Sequence, residues 1–149
     1  FGAPWTVYVV TDWADGRHPW GAHTILGWGD LARLPAAGAT IGSHSVTHAR
    51  FRYPTPGEAE AEVFGSRERI QRRLGITPTG FAIPMGQSRD WPSFAHDAAL
   101  RAGYRHVFAQ SEDRRAPGTV ARTFVTRYDH RRVFERALGG AFDRWEEWV

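Results

Sequence analysis

The chain has 149 residues, 42% hydrophobic and 13% aromatic, which fits one globular domain with a core of its own and excludes a disordered segment. The absence of Cys excludes a disulfide framework and a thiol nucleophile. A net charge of only +3, with acids interspersed among 19 basic residues that are all Arg, offers no patterned surface for nucleic acid, and no apolar stretch is long enough to span a bilayer.

In chain order, Thr6-Val7-Tyr8-Val9-Val10 is β-branched and aromatic with little polarity, the pattern of a buried parallel strand. Thr11 to Gly29, rich in Gly, Asp, His and Trp, reads as a long loop. Gly29-Asp30 opens a short helix, Leu31 to Ala37, that Gly38 stops. Thr40-Ile41 is a very short strand. Thr55-Pro56-Gly57-Glu58 supplies a capping hydroxyl, a Pro at the first helical position and a Glu at the third; the apolar stripe Ala59, Val63, Ile70 and Leu74 follows, and Gly75 ends the helix. Gly80 to Ile83 is a strand and Pro92 to Ala102 a helix stopped by Gly103. His106 to Ala109 is a strand, Ala116 to Gly118 a turn, Arg122 to Thr126 a last strand, and Asp129 caps a final helix. Strands alternating with helices over short connections predict an α/β fold with a parallel sheet or barrel. No internal repeat, low-complexity tract or linker divides the chain, so it reads as a single domain, 1–149. The tail from Phe142, with Trp145 and Trp148, packs on the body or on further sequence.

The most informative segment is Ile41-Gly42-Ser43-His44-Ser45-Val46-Thr47-His48. If the chain turns into a helix there, His44 and His48 share one face, and two imidazoles on one face can hold a divalent cation. Three further segments join it. They are Gly2 to Val9, Leu26-Gly27-Trp28-Gly29-Asp30-Leu31 and Phe81-Ala82-Ile83-Pro84-Met85-Gly86, with Ala102-Gly103-Tyr104-Arg105 after the last. In order and spacing these segments resemble the polysaccharide deacetylase family, the NodB-homology domain of carbohydrate esterase family four.

The resemblance implies a deformed (β/α) barrel and metal-dependent deacetylation of a glycan at N-acetyl or O-acetyl groups. A divalent metal, zinc with cobalt or nickel as alternatives, activates the attacking water, and a carboxylate serves as base. Carried over by position, His44 and His48 are metal ligands and the backbone N–H of Met85 is the oxyanion donor. His130 stands where the family has a general-acid His, and Pro84 and Trp28 are substrate-binding positions. Ser43, Ser45 and Thr47 are capping or supporting groups. The implied setting is the cell envelope or exterior of a bacterium; the all-Arg basic set suits a GC-rich genome. The oligomeric state stays open.

One part of the family pattern is missing. The Thr-Phe-Asp-Asp-Gly motif, source of the base and the Asp ligand, is not found; Thr11-Asp12-Trp13-Ala14-Asp15-Gly16 resembles a stretched version but falls after the wrong strand. Three explanations stay open: the first strand and helix precede Phe1, Asp12 or Asp15 substitutes as ligand, or the chain is a degenerate member without activity. In each the sheet shows an edge where a neighbour is absent. Two functions remain, a metal-dependent glycan deacetylase and a non-catalytic carbohydrate-binding or scaffold domain of the same fold. His18, His23, His96, His106 and Arg127 read as surface or structural residues, and Trp20, Trp28 and Trp91 as core or sugar-stacking ones.

Overall fold

The computed structural model describes residues 4–20, 25–110, 117–122 and 128–139. Strands β1 (Trp5–Val9), β2 (Ala39–Ser43), β3 (Gly80–Ala82), β4 (His106–Ala109) and β5 (Thr119–Ala121) lie side by side in chain order, all parallel. The helices are α1 (Thr11–Ala14), α2 (Trp28–Leu31), α3 (Pro56–Leu74), α4 (Ser93–Ala102) and α5 (Arg131–Leu138), with 3-10 turns at Pro35–Ala37 and Ser88–Asp90. Parallel neighbours require crossovers, and right-handed crossovers that always step the same way put their helices on one face of the sheet. Accordingly α3 and α4, which follow β2 and β3, pack against each other. Among the described residues the sheet is open, with β1 and β5 as its outer strands.

Strand alternation divides the sheet into two faces. The registers Val7↔Ile41, Val9↔Ser43, Ser43↔Phe81, Phe81↔Val107 and Val107↔Thr119 align one set of side chains. That set is buried under the helices: Phe81 and Val107 join Ala59 and Val63 of α3 and Ala95 and Ala99 of α4, while Val9 and Ile41 join Leu31 and Ile70. Each fully buried Val, Ile or Phe contributes about 1.5–3 kcal/mol, so this face anchors the sheet. The opposite face carries Tyr8, Gly42, Gly80, Ala82, Phe108 and Arg122, and leads up to His44.

Gly42 is required on that second face for space. A Cβ there would lie 2.5 Å from Cδ1 and Cε1 of Tyr8 and 3.3 Å from the Gly80 carbonyl oxygen. The Tyr8 ring therefore lies across Gly42 and reaches Phe108, at 5.5 Å between centroids. Gly42→Ala is expected to lower stability by about 1–3 kcal/mol, and by clearly less in a Tyr8→Ala background. Urea unfolding of the four proteins of the cycle checks this, and an equal cost in both backgrounds would refute it.

The local signals of α3 act as expected. Thr55 and Glu58 form a reciprocal capping box, with Thr55 N–H donating to Glu58 Oε2 at 2.7 Å, and Gly75 closes the helix at φ +69°. Elsewhere tertiary contacts shift the boundaries. Thr11–Ala14 is a helical turn instead of loop, because the N–H groups of Thr11 and Asp12 donate to the carbonyls of Ser45 and Val46. The Leu31–Ala37 helix divides: α2 ends at Leu31 and a 3-10 turn begins at Pro35, which has no N–H to continue an α-helix. Among the described residues the strand that follows β4 is Thr119–Ala121, in register with Val107–Ala109, and all but Arg122 of the expected strand Arg122–Thr126 lies outside them. Positions 123–127 and 140–149 lie outside the described residues, and His130 rather than Asp129 stands at the cap of α5.

Candidate active site

Ligands of parallel α/β sheets gather beyond the C-terminal ends of the strands. Residues that follow four strands converge there: Thr11 to Trp13 after β1, His44 to His48 after β2, Ile83 to Met85 after β3, and Arg122 after β5.

His44 and His48 come together, with ring centroids 4.9 Å apart at 73°. They do so without the helix expected from their spacing. Residues 44–48 form a loop in which Ser45 and His48 take left-handed φ of +71° and +66°, a conformation that costs a non-Gly residue about 1–3 kcal/mol. The loop is held from three sides. Ser45 Oγ accepts the His48 N–H at 2.9 Å. The α1 amides of Thr11 and Asp12 bind the carbonyls of Ser45 and Val46 at 3.2 and 2.9 Å. From α3, Glu62 Oε2 accepts the N–H groups of Val46 and Thr47, both at 2.9 Å, and Glu62 Oε1 accepts the Thr47 hydroxyl at 2.7 Å. Ser43 faces the helices and donates to Ser66 Oγ at 2.7 Å.

Both rings favour the neutral form. Burial pulls His44 down to about 4, with smaller contributions from His48 and Arg122 and an opposing one from its bond to Ala82. His48 is also lowered, by burial first and the Arg122 charge second. His44 Nδ1–H donates to the Ala82 carbonyl at 2.7 Å, which assigns the lone pair to Nε2. On its other side His48 stacks on Trp13, centroids 4.9 Å apart at 28°.

Arg122 brings positive charge to this edge of the sheet. Its Nη2 donates to the Ile83 carbonyl at 3.0 Å, while Nε is buried with no hydrogen-bond partner among the described residues. Burial pulls the guanidinium below its ordinary value. Nearby, buried Pro84 leads into Met85, which turns at φ +63° with its side chain exposed.

The side chains of the other sequence-derived positions make other contacts. Asp12 pairs with Arg17 and Arg69, and these hydrogen bonds, that of Arg17 first, hold its carboxyl below the ordinary range. Asp15 binds Arg17, Arg69 and Arg73 at 3.0–3.2 Å and accepts the Trp28 indole N–H at 2.6 Å. Trp28 itself packs against the core cluster of Val9, Leu31, Ile41 and Ile70. His130 is exposed at the start of α5, His96 Nδ1 accepts the Trp91 indole N–H, and His106 is exposed on β4. His23 and Arg127 lie outside the described residues.

Residues 1–107 match the family described as polysaccharide deacetylase. The chain belongs to the polysaccharide deacetylase family. No curated protein matches the sequence. Among solved structures, it is similar to a de-N-acetylase from Aggregatibacter actinomycetemcomitans (TM-score 0.70, 17% identity, covering 90% of this chain and 64% of that one). It is similar to a polysaccharide deacetylase from Bacillus cereus (TM-score 0.71, 16% identity, 93% and 42%). A CE4 family pseudoenzyme from Bacillus anthracis also shares the fold (TM-score 0.56, 14% identity, 70% and 33%). The chain thus spans less than two thirds of the length of each of these three. Among the described residues no helix is long and apolar enough to cross a membrane.

For a member of the polysaccharide deacetylase family, the donor set is what a divalent metal requires of two of its ligands. Two neutral imidazoles lie side by side, and one has its second nitrogen committed to a carbonyl, an arrangement that orients a coordinating ring. Among the described residues no third His, Cys, Asp or Glu completes a cluster. The sequence pattern pointed to the pair and to the Pro84–Met85 turn, but not to Glu62, Trp13 or Arg122. Glu62 stands one position before Val63 of the apolar stripe of α3, and Arg122 follows the Val120-Ala121 run, which are the weak signals each left in the chain.

Proposed function

We propose that this chain is the metal-holding part of an enzyme that hydrolyses acetyl groups, N-acetyl on amino sugars first and O-acetyl second, from a glycan of the cell envelope or exterior. The observation that carries this is the pair of neutral imidazoles, His44 and His48, at the C-terminal edge of the sheet. His44 Nε2 and the His48 ring would hold the cation, zinc or alternatively cobalt or nickel. When bound, such a cation supplies Lewis-acid chemistry, lowering the pKa of a water and polarising a carbonyl. In the reaction, water oxygen bonds to the acetamide carbon, the C–N bond breaks, the released amine takes a proton and acetate leaves. Arg122 favours the negative charge that develops on the carbonyl oxygen, and the Met85 backbone N–H is the proposed donor to it. The third ligand and the carboxylate base would come from outside the described residues.

Acetate release from N-acetylglucosamine oligosaccharides, measured with zinc and after chelation, tests this. The full chain is expected to release acetate only with metal, and a His44→Ala, His48→Ala double variant none. Release unchanged in that variant would sink the proposal. A second function, glycan binding without catalysis, is favoured by one observation, that no third ligand joins the pair among the described residues. Binding of the oligosaccharide with no acetate release under any metal would establish it.

A further inference from the structure

Four rings form a continuous series that starts at the candidate metal centre and ends at the surface. His44 meets His48, and His48 stacks on Trp13. Trp13 meets Trp20 edge to face, 4.7 Å between centroids at 84°. Trp20 is 49% exposed. The ring of His18 lies roughly parallel to it, at 6.5 Å and 23°. The indole is therefore braced by Trp13 while much of its surface remains open to water.

Other large aromatic side chains are exposed, Tyr53, Tyr128, Trp5 and Phe134 among them. Among the described residues, Trp20 is the one that a series of ring contacts joins to His48. A rigid indole loses little conformational entropy on binding and offers a wide apolar plane with a polar N–H at its rim. A pyranose ring is its chemical complement, with a face of C–H groups and an edge of hydroxyls. An acyl chain would need an enclosed apolar groove, and a phosphate would need charge, neither of which the indole supplies.

We propose that the exposed indole of Trp20 is a subsite for a sugar ring of an N-acetylated amino-sugar glycan, placed outward from the His44–His48 pair. This rests on the deacetylase reading for the identity of the glycan, and on the ring geometry for the subsite. Trp13 is the positioning residue: it braces the indole and stacks on His48, so a sugar held at Trp20 is registered against the metal-binding ring.

The test is calorimetric titration of N-acetylglucosamine tetrasaccharide into the full chain and its Trp20→Ala and Trp20→Phe variants, with acetate release followed in the same samples. Trp20→Ala should weaken binding about tenfold, the loss of roughly one aromatic contact, and Trp20→Phe should recover part of it. Trp20→Ala is expected to melt somewhat lower than the parent, through loss of the contact with Trp13, and to remain fully folded at the temperature of the titration. Equal binding by parent and Trp20→Ala overturns the subsite, as does a parent that does not bind the tetrasaccharide. Trp20-dependent binding without acetate release keeps the subsite and overturns the deacetylase reading; acetate release with Trp20-independent binding does the reverse.

Discussion

Alanine at both His44 and His48 is expected to weaken zinc or cobalt binding by at least about 100-fold, more than the 10–100-fold typical of losing a residue that only supports a ligand. The reason lies in protonation and orientation together. Burial keeps His44 uncharged down to about 4, so it need release no proton to coordinate at neutral pH. Its bond to the Ala82 carbonyl has already selected Nε2 as the free nitrogen. Replacing His44 alone also leaves the Ala82 carbonyl short of a partner, at a cost of about 1–3 kcal/mol, so the single variant should melt lower than His48→Ala. Calorimetry or the cobalt absorption band measures the first effect, and thermal unfolding the second. Parent-like cobalt affinity in the double variant would place the metal elsewhere in the protein.

The second large effect belongs to Glu62, which binds the loop between the two imidazoles and whose charge acts on His48 against the effect of burial. Its carboxylate accepts three hydrogen bonds from Val46 and Thr47, the residues between the two left-handed positions of the loop. Without them, that backbone loses the hydrogen bonds by which α3 opposes its relaxation toward ordinary φ. Glu62→Ala is expected to cost about 2 kcal/mol in stability and about 10–100-fold in metal affinity. Glu62→Gln retains one carbonyl oxygen that can still accept both N–H groups, and should recover most of the affinity. A merely global loss of stability would not separate the two variants once both are fully folded at the temperature of the titration. If folded Glu62→Ala binds metal as the parent does, the loop holds its shape without this residue.

Glu62 also marks the boundary of what could be read from the chain. The start of α3 was legible because Thr55, Pro56 and Glu58 satisfy the first amides within a single turn. Its end at Gly75, and the end of α4 at Gly103, were legible because both glycines take positive φ right after the last helical residue. The strands around Val7 and Val107 were legible from apolar and β-branched runs. The His44–His48 spacing was legible as a possible site, and so was the family, since its motifs are contiguous.

The shape of the site was not. A four-residue spacing suggests a helix, yet the imidazoles meet through a loop whose strained residues are held by α1 and by Glu62, 16 residues downstream of Val46. The tautomer of His44 depends on Ala82, 38 residues away, and the charge beside it on Arg122, which arrives only because β5 pairs with β4. Caps, breakers and periodicity act over one or two turns, so local residues carry the elements and the family motifs. Ring packing, shared protons and the field at the His pair depend on groups that parallel pairing brings to one edge of the sheet, and these exist only once the chain has folded.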